Sequence, residues 1–151
     1  MKIYKVFFLS ALSLLALVCF ADLFLKLPYE AGEEFIIIQG YNSLPTHINK
    51  DLYALDLSQN SCDAYGKPAL AVADGMVISI KSSGDYGNSV ILDHGNNIES
   101  IYAHLIKDSF FVKKGEKVIT GQLLGRIGST GKVFGTACLE HPGTHLHFAI
   151  Y

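Results

Sequence analysis

Glycine recurs at positions 75, 84, 87, 95, 115, 121, 125, 128 and 131 and cuts across any helix drawn through the second half of the chain. Each interior glycine costs a helix about 1 kcal/mol relative to alanine. The segments between are short and apolar: "FIIIQG", "YALDL", "ALAVADGMVISI", "SVILDHGN", "ESIYAHL", "KVITGQLLGRIGSTG" and "THLHFAIY". Runs of this length, rich in β-branched and aromatic residues and bounded by turn formers, read as strands joined by tight turns. No stretch beyond the first 21 residues sustains apolar spacing of three and four over several turns. The expectation is a mainly β fold, a single antiparallel, hairpin-rich domain. A chain of 151 residues is long enough for one domain with a real core and too short for two of ordinary size.

The N-terminus follows different rules. Lys2 and Lys5 precede an uncharged, mostly apolar run from Val6 to Ala21, and Asp22 follows directly. The run is shorter than the roughly 20 residues a spanning helix needs, and Cys19 and Ala21 supply small residues three and one before a cut after Ala21, as in an export signal. Residues 1–21 are read as a signal peptide, with an uncleaved membrane anchor as the alternative. Residues 22–34 form an extended lead-in, where Pro28 disfavours helix at Leu27, and 35–151 form the domain.

Removing the signal takes away Lys2 and Lys5 but no acid, moving the formal charge from −2 to −4. A mildly acidic exported domain gives no reason to expect nucleic acid, which rewards clustered Lys and Arg. Contact with a membrane is expected only through an uncleaved N-terminal segment. Cys62 and Cys138 remain after cleavage; in an oxidising compartment a disulfide is the default, with two buried thiols as the alternative.

The histidines carry the chemistry. In "GTHLHFAIY" the period of a strand sends His145 and His147 to one side and Leu146 and Phe148 to the other. A bare His-x-His is more often a solvated pair, so the motif needs company. In "YALDL" the same period puts Ala54 and Asp56 on one face, and a carboxylate on an otherwise apolar strand is costly to bury without a partner. A divalent cation would be such a partner. His47, Asp56 and one member of the final pair make a set that leaves a coordination position open for water. Asp51, four residues after His47, is a competing carboxylate, given less weight because the polar "INKD" turn predicts a solvated side chain. His104 lies in the short strand "IYAHL" beside Tyr102, a residue expected to pack with its hydroxyl reaching solvent. His94 and His141 adjoin turn formers and are read as structural or solvent-facing.

With these residues assembled, the chain resembles the LytM and lysostaphin-type zinc endopeptidases, which cut peptide bonds in bacterial peptidoglycan. "LPYEAGEEFIIIQGYNSLPTH" is similar to the segment leading to that family's first metal histidine, and "YALDL" to the strand carrying its metal aspartate. "GKPALAVADGMVISI" is similar to its Gly-x-Pro strand and Asp-Gly hairpin. "GNSVILDHGNNIESIYAHL" is similar to the stretch ending in Tyr-x-His-Leu, and "GTHLHFAIY" to the closing His-Leu-His-Phe signature. Two local departures fall near the expected substrate groove. "HPGT" stands where Thr-Gly-Pro is common, with "KVFGTACLE" lengthening the loop before it, and Ala149 replaces a frequent acidic residue.

The resemblance implies a lysostaphin-like fold of the duplicated hybrid motif, barrel-sandwich type, and one Zn2+ per chain. It implies metal ligation by His47, Asp56 and His147, and catalytic roles for His104 and His145 on the water. The implied partner is a peptidoglycan peptide substrate, met in the periplasm or cell wall. An inactive relative that binds cell wall or activates another hydrolase is the alternative. A lipoyl or biotinyl carrier, suggested by the glycine-punctuated hairpin, would have no use for His47, Asp56, His145 and His147.

Overall fold

The computed structural model describes residues 23–60, 62–135 and 138–151; the export signal read at 1–21 lies outside them. Among the described residues no helix is long and apolar enough to cross a membrane. The apolar runs become β1 (Ile36–Gln39), β2 (Leu55–Ser58), β3 (Pro68–Leu70), β4 (Gly75–Ser82), β5 (Asn88–Asp93), β6 (Glu99–Leu105), β7 (Lys117–Val118), β8 (Leu123–Arg126) and β9 (Leu146–Ile150), with one 3-10 turn at Asn49–Asp51. All pairings are antiparallel. Seven strands form one sheet in the order β1-β2-β9-β6-β5-β4-β7, and β3 pairs with β8 in a second.

The final strand is thus central, inserted between β2 and β6, which are far from it in sequence. Its period of two decides what each face carries. Leu146 and Phe148 join Leu57, Val90, Leu92 and Tyr102 in the main core, which Ala69 of β3 and Leu124 of β8 close from the second sheet. The opposite face holds a small cluster of Ala54, Ile101, Ala103 and Ala149. Small residues there keep that side of the sheet shallow, and the site is built on it.

The lead-in packs against the domain. Pro28 is buried, Lys26 N–H donates to the Val72 carbonyl at 2.8 Å, and the Tyr29 ring stacks on Phe35 with centroids 4.3 Å apart. Cys62 and Cys138 form a disulfide across 76 residues of sequence. The His141 ring stacks on Tyr65, with centroids 3.4 Å apart, joining the same two loops.

Candidate active site

Register brings the first pair together. Asp56 on β2 lies directly opposite His147 on β9, and such facing side chains stand close enough to interact. His147 Nδ1 is 2.9 Å from Asp56 Oδ1. His47 arrives from the loop after β1. Its ring is fully buried, its Nδ1–H donates to the Gly40 carbonyl at 2.8 Å, and its Nε2 faces Asp56 Oδ1 at 3.1 Å. One ligand atom from each of His47, Asp56 and His147 falls within 4.8 Å of the other two, so the three could hold a metal ion.

The protons test whether a cation fits. Because His47 Nδ1 donates to a carbonyl, a neutral ring presents a lone pair at Nε2. That lone pair meets a carboxylate oxygen, a repulsive contact unless a proton or a cation lies between. On His147, Nε2 is buried and has no hydrogen-bond partner among the described residues. Burial pushes the Asp56 carboxyl upward, but the hydrogen bond from His147 and the neighbouring imidazoles more than offset it, and the group stays ionised below its ordinary range. Two imidazole nitrogens and one carboxylate oxygen this close together are donors of the kind a three-ligand zinc site uses, so the residues fit a metal ion.

His145 and His104 lie beside this set. His145, just before β9, faces the same side as His147, with Nε2 3.5 Å from Asp56 Oδ1. Its Nδ1–H donates to the Gly143 carbonyl at 2.7 Å. His104 depends on an irregularity. Between the pairs Asn88↔Leu105 and Val90↔Tyr102, β6 has one more residue than β5, and His104 there adopts φ +63°. Bulges of this kind re-aim a side chain. The His104 ring comes within 4.5 Å of His145, centroid to centroid, and its Nδ1–H donates to the Thr130 carbonyl at 2.7 Å. Burial, then the adjacent His145, draw the His104 imidazole down to about 3, against the opposing bond to Thr130. His145 is also lowered, chiefly by burial and against the pull of Asp56. Both rings are neutral at pH 7, with the proton on Nδ1 and the lone pair on Nε2.

The carbonyl that holds His104 depends on two glycines. Gly87 has φ +58° and Gly131 φ +81°, and their turns abut so closely that a Cβ on Gly131 would lie 2.8 Å from Gly87 Cα. Asn88 N–H donates to Thr130 Oγ1 at 2.9 Å in the same junction. Gly131→Ala should cost about 2–4 kcal/mol, from overpacking and the left-handed backbone together, and should move the Thr130 carbonyl off His104. Denaturant unfolding checks this; a loss under about 1 kcal/mol would mean that the junction can relax.

Three side chains depart from the sequence reading. Asp51 is not solvated: its side chain is 14% exposed and Oδ1 is 3.6 Å from His147 Nε2. It accepts hydrogen bonds from the Tyr86 hydroxyl and, at 3.0 Å, from that of Tyr151. Polarity in "INKD" pointed outward because the aromatic donors come from distant segments. Tyr86 was missed, since "GDYGN" reads only as a turn; burial and then the bond to Asp51 push its phenol above the ordinary range, keeping it a donor. The Tyr102 hydroxyl does not reach solvent. It accepts from Val72 N–H at 2.9 Å inside the core. His94 is structural, bonded to the Asp74 carbonyl and Ser100 Oγ, each at 2.7 Å.

The cluster opens into a cavity of about 610 Å³. Its lining includes the apolar side chains of Ile38, Pro45, Ile48 and Phe134 and the charged side chains of Lys50, Lys132 and Asp85. Lys50 lies over the Tyr86 ring at 4.5 Å. A second cavity of about 610 Å³, lined by residues including Glu30, Tyr65, Lys67 and Arg126, contains none of the site histidines.

Over 85 residues the chain is 38% identical to the peptidoglycan DD-endopeptidase ShyA of Vibrio cholerae, covering 56% of this chain and 17% of that protein. Over 86 residues it is 34% identical to the murein hydrolase activator NlpD of Escherichia coli, covering 56% of this chain and 20% of that protein. The chain therefore spans about a fifth or less of these relatives' lengths. Among solved structures, a zinc-containing peptidase from Vibrio cholerae superposes with a TM-score of 0.64 at 26% identity, over 85% of this chain and 36% of that one. Residues 58–151 match the model of Peptidase family M23, a span that includes His104, His145 and His147 and begins two residues after Asp56. With most of its length matched by that model, the chain belongs to peptidase family M23.

Proposed function

We propose that this chain is an exported zinc metalloendopeptidase that hydrolyses peptide bonds in bacterial peptidoglycan stem peptides or cross-links. The observation that carries the reading is the convergence of His47, Asp56 and His147, with His47 Nε2 and His147 Nδ1 both on Asp56 Oδ1 and a lone pair already facing a carboxylate. These three residues would hold the metal. Zinc, when bound, supplies a Lewis acid that activates water and polarises a carbonyl.

The chain's own residues do the rest. The Gly143 and Thr130 carbonyls fix the protons of His145 and His104 on Nδ1, so each ring offers Nε2 as an acceptor. Either can orient the attacking water, take its proton and return it to the leaving amine. Burial keeps both rings neutral in the resting state, and the protonated ring that follows proton uptake can donate to a developing oxyanion. The apolar lining residues Ile38, Ile48 and Phe134 would seat the peptide and exclude water. Similarity to ShyA supports peptidoglycan as substrate, and the run from Val6 to Ala21 supports export.

Similarity to NlpD favours a second reading, a cell-wall domain that activates another hydrolase. One experiment separates the two. The chain without residues 1–21 is purified, its metal content measured, and the protein incubated with purified peptidoglycan sacculi while released peptides are followed by mass spectrometry. One equivalent of zinc and new peptide termini, both lost on chelation, are expected. Bound zinc without cleavage would favour the activator, and no metal would overturn the metalloenzyme.

A further inference from the structure

We propose that Asp51 is a positioning residue for His147, fixing the ring so that Nδ1 presents its lone pair to the ion. The inference rests on the reading of His47, Asp56 and His147 as metal ligands. With an ion at Nδ1 in place of the proton that bonds to Asp56 without it, the neutral ring carries its proton on Nε2, and that atom is buried with no hydrogen-bond partner among the described residues. Asp51 Oδ1 faces it at 3.6 Å, a few tenths of an ångström beyond hydrogen-bond range.

The carboxylate is held for this purpose from two directions. Tyr86, in the turn between β4 and β5, and Tyr151, after β9, both donate to Asp51 Oδ1. The Tyr86 ring also packs 5.3 Å from the His147 ring, centroid to centroid. A carboxylate has about two acceptor sites on each oxygen, and the tyrosines take those on Oδ1, so an imidazole N–H would share Oδ1 with the longer Tyr151 bond or turn to the second oxygen. An anion on the far nitrogen raises the basicity of the ligating one and locks the ring's orientation.

Asp51 is not a substitute ligand. The two nitrogens of an imidazole point away from each other, and Asp51 stands on the Nε2 side while Asp56 stands 2.9 Å from Nδ1. No ion bound at Nδ1 is within reach of both carboxylates.

The test is zinc affinity, measured by competition with a chelator, for the parent chain, Asp51→Asn, Asp51→Ala, Asp51→Glu and Asp56→Ala, with the melting temperature of each metal-free protein recorded. The expected result is binding weakened about 10-fold by Asp51→Asn and up to about 100-fold by Asp51→Ala. Partial recovery is expected in Asp51→Glu and no measurable binding in Asp56→Ala. The near-isosteric Asn variant, melting like the parent when metal-free, separates positioning from a folding defect. Parent-like affinity in Asp51→Asn and Asp51→Ala would overturn the proposal. Loss in Asp51→Ala as complete as in Asp56→Ala would also overturn it, by making Asp51 a ligand. A parent chain that takes up no zinc would instead sink the ligand reading on which the proposal rests.

Discussion

Replacing His47 or Asp56 by alanine is expected to abolish zinc retention and peptidoglycan cleavage together, whereas replacing His104 or His145 should leave the zinc and remove turnover. The two pairs differ in what their nitrogens and oxygens face. His47 Nε2 and Asp56 Oδ1 face each other at 3.1 Å, and losing either leaves a three-coordinate set one donor short. His104 and His145 spend Nδ1 on backbone carbonyls, which leaves Nε2 of each as the acceptor that the proposed mechanism uses. Losing a positioned acid or base costs roughly 10²–10⁴ in rate. Elemental analysis of the purified variants, paired with mass spectrometry of released peptides, reads both quantities. Zinc loss in the His104 or His145 variant would refute this division of roles, and cleavage by the Asp56 variant would refute metal dependence.

Replacing both Cys62 and Cys138 by serine should cost about 4.5 kcal/mol, the chain-entropy value for a bridge across 76 residues, and lower Tm by roughly 10 °C or more. The loss should reach the site. Cys138 Sγ accepts from His141 N–H at 3.2 Å, and the His141 carbonyl accepts from Thr144 Oγ1 at 2.7 Å. Thr144 in turn gives its carbonyl to Ser58 Oγ, at 2.8 Å, at the end of β2. This chain of contacts leads to Gly143, whose carbonyl orients His145. Thermal unfolding of the serine variant against the parent, each with and without reductant, checks the first part. Activity at a temperature where both are folded checks the second. An unchanged Tm would show that the bridge adds nothing to the packing of the two loops.

Much of this was legible in residue order because the period of a strand is short and strict. Ala54 and Asp56 share a face, as do His145 and His147, while Leu146 and Phe148 fall in the core; all follow from alternation alone. The antiparallel β domain followed from glycine spacing, and the family resemblance from ordered motifs. The readings that failed were about partners. Asp51 looked solvated from its polar neighbours, yet Tyr86 and Tyr151 cover it. Tyr102 was given a hydroxyl in water, yet the Val72 amide, 30 residues away, claims it in the core.

Sequence by itself thus determined which faces the strands present and which residue types could share a metal, since both are set by local backbone geometry and side-chain chemistry. Only the tertiary structure decided the rest. It inserted β9 between β2 and β6, so that Asp56 meets a histidine 91 residues away. It also placed a bulge that turns His104 toward the site instead of the core. Local rules say which way a side chain points; what it meets depends on which distant strand is its neighbour, and that is settled by packing of the whole sheet.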